Sequence, residues 1–483
     1  MNGGIDEAIN AAVAPLAEFV SRVVFFKVPV FGAELPLVVL WLVAGAVFFT
    51  VYMRFVNLVA FRHAVDLVRG KHADPGDPGE VSHFQALSTA VAGTVGIGNI
   101  GGVAVAVSVG GPGAALWIVV AGFLGMSTKF VECTLGVKYR RENADGSVSG
   151  GPMYYLERGL AEHGYAGFGR AMGVLYAVGL CIGAFGIGNM FQANQAFVQL
   201  VAITGGAEAS VLADKGWLVG AAMAVLVGVV IIGGIRSIVR VTERLVPFMA
   251  VLYCGFALVV IAMNAEAVPW ALARIVEGAM TGDGVAGGAL GALIIGFQRA
   301  VFSNEAGIGS ASVAHSAVRT KEPLTEGIVA LLEPFIDTIV ICSCTALVIV
   351  TTSYYDAGFA DGLDGIAMTS KAFERQFSWF PLPLAVAAAL FAFSTMLSWS
   401  YYGLKGWTYL VGESVAMDRA YKAVFCVFVA LGCTLELGAI LDFSDALVFL
   451  ICVPNIVGLY VLAPAVRREL SDYLAEKLGT GTI

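Results

Sequence analysis

Two stretches place glycines and polar side chains inside long apolar runs. The first is Ala92-Gly93-Thr94-Val95-Gly96-Ile97-Gly98-Asn99-Ile100-Gly101-Gly102, and the second is Ser303-Asn304-Glu305-Ala306-Gly307-Ile308-Gly309-Ser310. Glycine weakens a helix interior by about 1 kcal/mol relative to alanine, so a cluster of them predicts a break. At membrane depth a broken backbone is tolerated only where it is buried in protein or lines a cavity. A break creates two half-helix ends. Free N–H groups and the positive dipole of one suit a carboxylate, and free carbonyls of the other suit a cation. A zwitterionic amino acid together with a sodium ion matches that pair. The competing reading is close packing of small residues between helices. The embedded Asn99, Asn304 and Glu305 count against it for both stretches. Gly96-x-Gly98-x-x-Gly101 also spells a dinucleotide fingerprint, but that motif needs a preceding strand in a βαβ unit, and here it sits in an apolar run.

Other polar residues sit at similar depth. Asn304 is read as a substrate contact and Glu305 as a brace of the second break, with a structural tie from Glu305 to Arg299 as the alternative. Lys129 and Glu132 are three apart, the spacing of a helical ion pair. Glu333 and Asp337 lie one turn apart, and a water path, a gate or protonation are all open to them. Phe185, Asn189 and Gln192 share a helical face, with Asn194 nearby. Phe185 and Gln192 are candidate pocket-lining residues, against a bland reading of interhelical hydrogen bonding.

The elements that must position these residues are transmembrane helices. Of 483 residues 58% are hydrophobic and 13% charged, where soluble domains are about a quarter charged. Eleven stretches are long enough to span a bilayer: 36–58, 84–109, 113–137, 171–200, 216–235, 244–263, 286–315, 325–351, 381–404, 421–438 and 444–464. With the N-terminus outside, the inner connections and tail hold 20 of the 28 Lys and Arg residues and the outer ones hold 6. By the positive-inside rule the C-terminus is cytoplasmic. The outer segments are acid-rich, as at Asp356, Asp361 and Asp364. The breaks fall in spans 2 and 7, five apart, so an odd-numbered repeat inverts its second copy. The expected fold is therefore all-α and integral to the membrane. It is a 5+5 inverted repeat of spans 2–6 and 7–11 (about 82–264 and 285–464) plus one extra N-terminal span. Residues 1–35 form an extracytoplasmic or interfacial segment, and 465–483 a cytoplasmic tail. Asp6, Glu7 and Glu18 with no basic start argue for an amphipathic helix there, not a cleaved signal.

Composition excludes several functions. The net charge of −8 comes with no basic patch, so no nucleic-acid partner is expected. The eight cysteines are scattered, Cys342 and Cys344 point to different sides of a helix, and there is no CxxC. They read as small buried hydrophobes, without a zinc site or disulfide framework. No metal cluster or nucleophile–base set converges on one segment, so an enzyme is not expected.

Four segments carry a family likeness: AGTVGIGNIGG (92–102), GGPMYYLERGL (150–160), FSNEAGIGSASVAHSA (302–317) and FSTMLSWSYYG (393–403). On them the chain resembles the alanine-or-glycine:cation symporter family, whose relatives share the leucine-transporter-type fold. The likeness runs from about 36 to 464. It implies sodium ligation by the carbonyls of Ala92, Val95 and Phe391 and the hydroxyls of Ser394 and Thr395. Neutral oxygens suit a hard cation. It implies that Thr94, Gly96 and Gly98 offer N–H groups to the substrate carboxylate. Asn99 matches a position that bridges toward a second ion, and Trp399 walls the pocket. The expected function is sodium-coupled import of a small neutral amino acid such as alanine or glycine, across the cell membrane, by alternating access. Sodium is the co-transported ion, no organic cofactor is expected, and lipid surrounds the chain. A proton-driven transporter of the same fold is the alternative. A channel is disfavoured, because Trp399 and bulky Phe residues argue for occlusion.

Overall fold

Apolar stretches with few charges fold as the helices expected of them, even where Pro247, Pro454 and Pro464 lie inside. The computed structural model describes residues 3–30, 33–144, 146–281, 288–352, 365–435 and 438–478. Asp356, Asp361 and Asp364, and the expected start of the second repeat near 285, lie outside the described residues. Six described helices are long and apolar enough to cross a bilayer: Gly113–Lys138, Ala166–Ile203, Gly234–Met263, Pro323–Thr352, Pro381–Val411 and Asp442–Glu476. The pair His83–Thr94 and Gly98–Gly110 is long and apolar enough when taken together, and it is bent by 55° at its break. Leu37–Tyr52 and Gly216–Ile231 are shorter apolar helices. Gly288–Asn304 with Ala311–His315, and Val415–Gly432, occupy the two remaining expected stretches.

The surface confirms the solvent. Val229, Ile232 and Val251 are 70%, 73% and 73% exposed. Contiguous apolar exposure on this scale is abnormal in water and ordinary in lipid. The charged residues Lys129, Glu132, Glu326, Glu333 and Asp337 are buried instead.

Among the described residues three π-helical turns interrupt the helices, at Gly98–Gly102, Gly186–Met190 and Phe335–Cys342. Such turns free carbonyls that need other donors. At the first of them Thr345 Oγ1 donates to the Asn99 carbonyl at 3.0 Å, and Thr369 Oγ1 donates to that of Ile100 at 2.9 Å. Thr369 lies on Gly365–Glu374, a helix the hydropathy pattern did not single out. Gly101 permits that approach, since a Cβ there would lie 2.9 Å from the Ile366 nitrogen.

The N-terminal segment is a helix, Gly3–Val24, packed against the last helix, Gly438–Leu478. An antiparallel hairpin follows, pairing Lys27–Val30 with Ala33–Pro36. The last helix runs through residue 465 to Leu478.

Candidate substrate and ion site

The first break is built from a capped helix that runs out of helix formers. Ser82 and Gln85 form a capping box at its start, and the helix ends at Thr94. Val95 leaves the helix with ψ 91°. The last turn of a helix has free carbonyls but used amides. Two residues of Pro381–Val411 cover carbonyls of that turn, and a third reaches a carbonyl one turn earlier, at Thr89. Thr395 Oγ1 donates to Ala92 O at 3.0 Å, Ser398 Oγ to Thr89 O at 2.7 Å, and Trp399 Nε1 to Gly93 O at 3.2 Å. Their i, i+3, i+4 spacing makes one helical face. Ser398 was passed over in the sequence, although its spacing from Thr395 was the signal. Ser394 Oγ donates to Phe391 O at 2.9 Å on its own helix and lies 3.5 Å from Met249 Sδ.

Two amides expected to face the substrate carboxylate are otherwise engaged. Thr94 belongs to the last helical turn, and its hydroxyl turns back to Ala90 O and Val91 O at 3.4 and 3.3 Å. Gly96 gives its N–H to Asn99 Oδ1 at 2.9 Å. Gly98 opens the half-helix after the break and lines a cavity of about 250 Å³.

The second break follows Gly288–Asn304. Glu305 adopts a left-handed φ of 55°, and Gly307 and Gly309 have φ of 93° and 88°. Asn304 Oδ1 accepts the Ala306 N–H at 2.9 Å, which is the service Asn99 performs at the first break. The two asparagines also share an anchor. Asn99 Nδ2 donates to Asp337 Oδ1 at 2.5 Å and to Ser303 Oγ at 2.8 Å. Asn304 Nδ2 donates to Thr338 Oγ1 at 3.0 Å. Adjacent residues of one π-turn therefore hold both breaks. Asn304 engages both its amide oxygen and its amide nitrogen in this bracing.

The 250 Å³ cavity lies beside the first break, between Ile97, Gly98, Phe191, Phe302, Arg299 and Asp445. It is smaller than the roughly 300–1,000 Å³ of drug-sized ligand sites. Gln192 adjoins the break. A Cβ on Gly96 would sit 3.0 Å from Thr395 Oγ1 and 3.4 Å from Gln192 Oε1. Gln192 Oε1 is buried without a hydrogen-bond partner among the described residues. Trp399 is seated in a notch at Gly188, where a Cβ would lie 2.3 Å from its Cγ. Phe185 does not join this group. It packs on Tyr421, Phe425 and Phe428 of Val415–Gly432, with centroids 5.4, 6.0 and 4.8 Å away. Asn189 donates to Phe425 O at 2.8 Å and Asn194 to Gly432 O at 3.2 Å, so those two do bind neighbouring helices.

The sodium:alanine symporter family model matches residues 19–481. The chain belongs to the sodium:alanine symporter family. It is 37% identical over 439 residues to the sodium/alanine symporter AgcS of Methanococcus maripaludis, covering 91% of this chain and 94% of that one. It is 32% identical to the probable sodium/glutamine symporter GlnT of Bacillus subtilis, covering 91% and 88%. The crystal structure of MhsT in complex with L-phenylalanine matches with a TM-score of 0.53 at 16% identity, over 83% of this chain and 90% of that one. That likeness is of fold, the leucine-transporter type. As a member of this family the chain is a multi-pass amino-acid:cation symporter and not an enzyme.

The charged side chains of this symporter pair over longer range than their spacing suggested. Lys129 does not pair with Glu132 but donates to Glu333 Oε1 at 3.0 Å. Glu132 Oε1 instead accepts the Gly307 N–H at 2.9 Å and Asn455 Nδ2 at 2.8 Å. Glu305 takes the Ser310 hydroxyl, and the tie to Arg299 is absent among the described contacts. Arg299 faces Asp445 across the cavity. At the end of the molecule carrying the paired residues Val81 and Val318, Arg140 donates to Pro78 O, Val318 O and Thr320 O at 2.8, 2.6 and 2.9 Å. It thereby clips the segment before the first broken span to the one after the second.

Proposed function

We propose that this symporter imports alanine or glycine with sodium, and that both bind at the first break. The observation that supports it most is the Thr395 hydroxyl on the Ala92 carbonyl. It sets a second neutral oxygen beside a helix end whose carbonyls have no partner within the helix. Val95, Phe391 and Ser394 complete the proposed sodium set. Neutral oxygens hold Na⁺ without a fixed counter-charge, which lets the ion leave again. Gln192 Oε1 is the proposed acceptor for the substrate ammonium. The Gly98 amide faces the carboxylate, Phe191 and Phe302 exclude water, and Trp399 closes the floor. A small volume favours a small side chain.

In this reading eleven spans cross the membrane, two inverted repeats of five following one extra span. The N-terminus is outside and the C-terminus cytoplasmic, as the 20-to-6 distribution of Lys and Arg supports. Sodium orders the broken segment, so substrate binds better in its presence, and linkage makes the effect reciprocal. The test is uptake of labelled alanine into proteoliposomes with and without an inward sodium gradient. Sodium-dependent uptake competed by glycine supports the reading. Uptake indifferent to sodium and driven by a pH gradient overturns the ion, and no uptake of either amino acid overturns the substrate.

A further inference from the structure

His83 opens the first broken span and His315 ends the second. Both rings meet the same carboxylate. His83 Nδ1 contacts Glu326 Oε2, and His315 Nδ1 lies 2.5 Å from Glu326 Oε1. The side chains of His315 and Glu326 are wholly buried. An ionised carboxylate only accepts, so each ring must give it an Nδ1 hydrogen. The opposite nitrogen of His315, Nε2, is then the atom free to take up a proton. Nε2 faces Glu333 Oε2 at 3.7 Å, and neither atom has a hydrogen-bond partner among the described residues. The other oxygen of Glu333 is held by Lys129. With a neutral imidazole, two lone pairs confront each other in a closed space. One added proton turns that confrontation into an N–H donor facing a carboxylate.

The surroundings favour the same addition. Lys129, Glu132 and Cys133 face this cluster from Gly113–Lys138, with Arg140 just beyond its end. Glu305 faces it from the second break, Asp337 from the turn after Glu333, and His83 from the first broken span. The carboxyl groups Glu132, Glu305, Glu326, Glu333 and Asp337 thus share two permanent cations, Lys129 and Arg140.

We propose that His315 Nε2 and Glu333 Oε2 form a binding site for one proton, taken from water onto the Nε2 lone pair with no other bond changed. His315 rides on the inner half of the second broken span and Glu333 on the neighbouring helix. Any cycle step that parts them opens the ion pair and releases the proton. Proton occupancy and conformation are therefore linked reciprocally. This consequence rests on the transport reading, whereas the site itself does not.

The test uses the full-length protein in detergent without substrate, labelled with ¹⁵N-histidine. The His315 signal is identified by its loss in His315→Asn. Protonated Nε2 at about pH 5, with a proton affinity at least tenfold weaker in Glu333→Gln, supports the site. A bare Nε2 at about pH 5, or an affinity unchanged in Glu333→Gln, overturns it. Wild-type protein gives a second reading if that variant does not fold. Alanine and sodium added to lightly buffered proteoliposomes should change the internal pH, and uptake without any such change overturns the coupling. A ring that titrates as expected in a protein that moves no amino acid overturns the transport reading and leaves the site standing.

Discussion

Thr395 bears most directly on ion affinity, because its hydroxyl meets the helix-end carbonyl of Ala92 and fills the space a Cβ on Gly96 would take. Thr395→Ala should raise the sodium concentration for half-maximal uptake tenfold or more, about 1.4 kcal/mol. Thr395→Ser should restore most of it, and the sodium dependence of alanine uptake measures both. Gln192 is the complementary case, with a buried oxygen lacking a partner. Gln192→Leu should raise the alanine KM while leaving the sodium dependence near wild type. Lys129 is different again, because its role is to neutralise. Lys129→Met strands Glu333 as a buried charge, so a loss of about 3–5 kcal/mol is expected. The double variant with Glu333→Gln should recover part of that loss, read as thermal unfolding in detergent. Equal stability of the single and double variants would show the pair to be incidental.

At the scale of elements, the breaks were legible because glycine clusters inside an apolar run have one structural outcome. The partners around them were less so. Lys129 and Glu132 were assigned to each other by a local spacing rule, yet Glu333 lies about two hundred residues away and no local pattern reports it. Phe185 was placed with Gln192 by counting helical turns across 185–192. The π-turn at Gly186–Met190 adds a residue to that count and rotates the two side chains apart. Thr94 lies one position before the break, because the helix persists to that residue. Gly188 belongs to the same π-turn and gives Trp399 its seat. Gly188→Ala should cost about 1–3 kcal/mol by overpacking and raise the alanine KM. Combining it with Trp399→Leu should return stability but not KM. A Gly188→Ala protein with wild-type stability and KM would mean that the ring moves freely.

Over the whole molecule, burial of the charges and exposure of Val229, Ile232 and Val251 put lipid around the helices. The proposed orientation makes opposite ends of the helices accessible from opposite sides. Lys215→Cys should react with an impermeant maleimide added to intact cells, and Arg419→Cys only after permeabilisation. The reverse pattern would invert the proposed topology. The anchoring of Asn99 and Asn304 on Asp337 and Thr338 has a consequence in time. Consecutive residues on one turn cannot shift independently, so the two breaks share a clock. Probes placed at either one should relax with a single common rate constant after a sodium jump, and no half-rearranged species should accumulate between them.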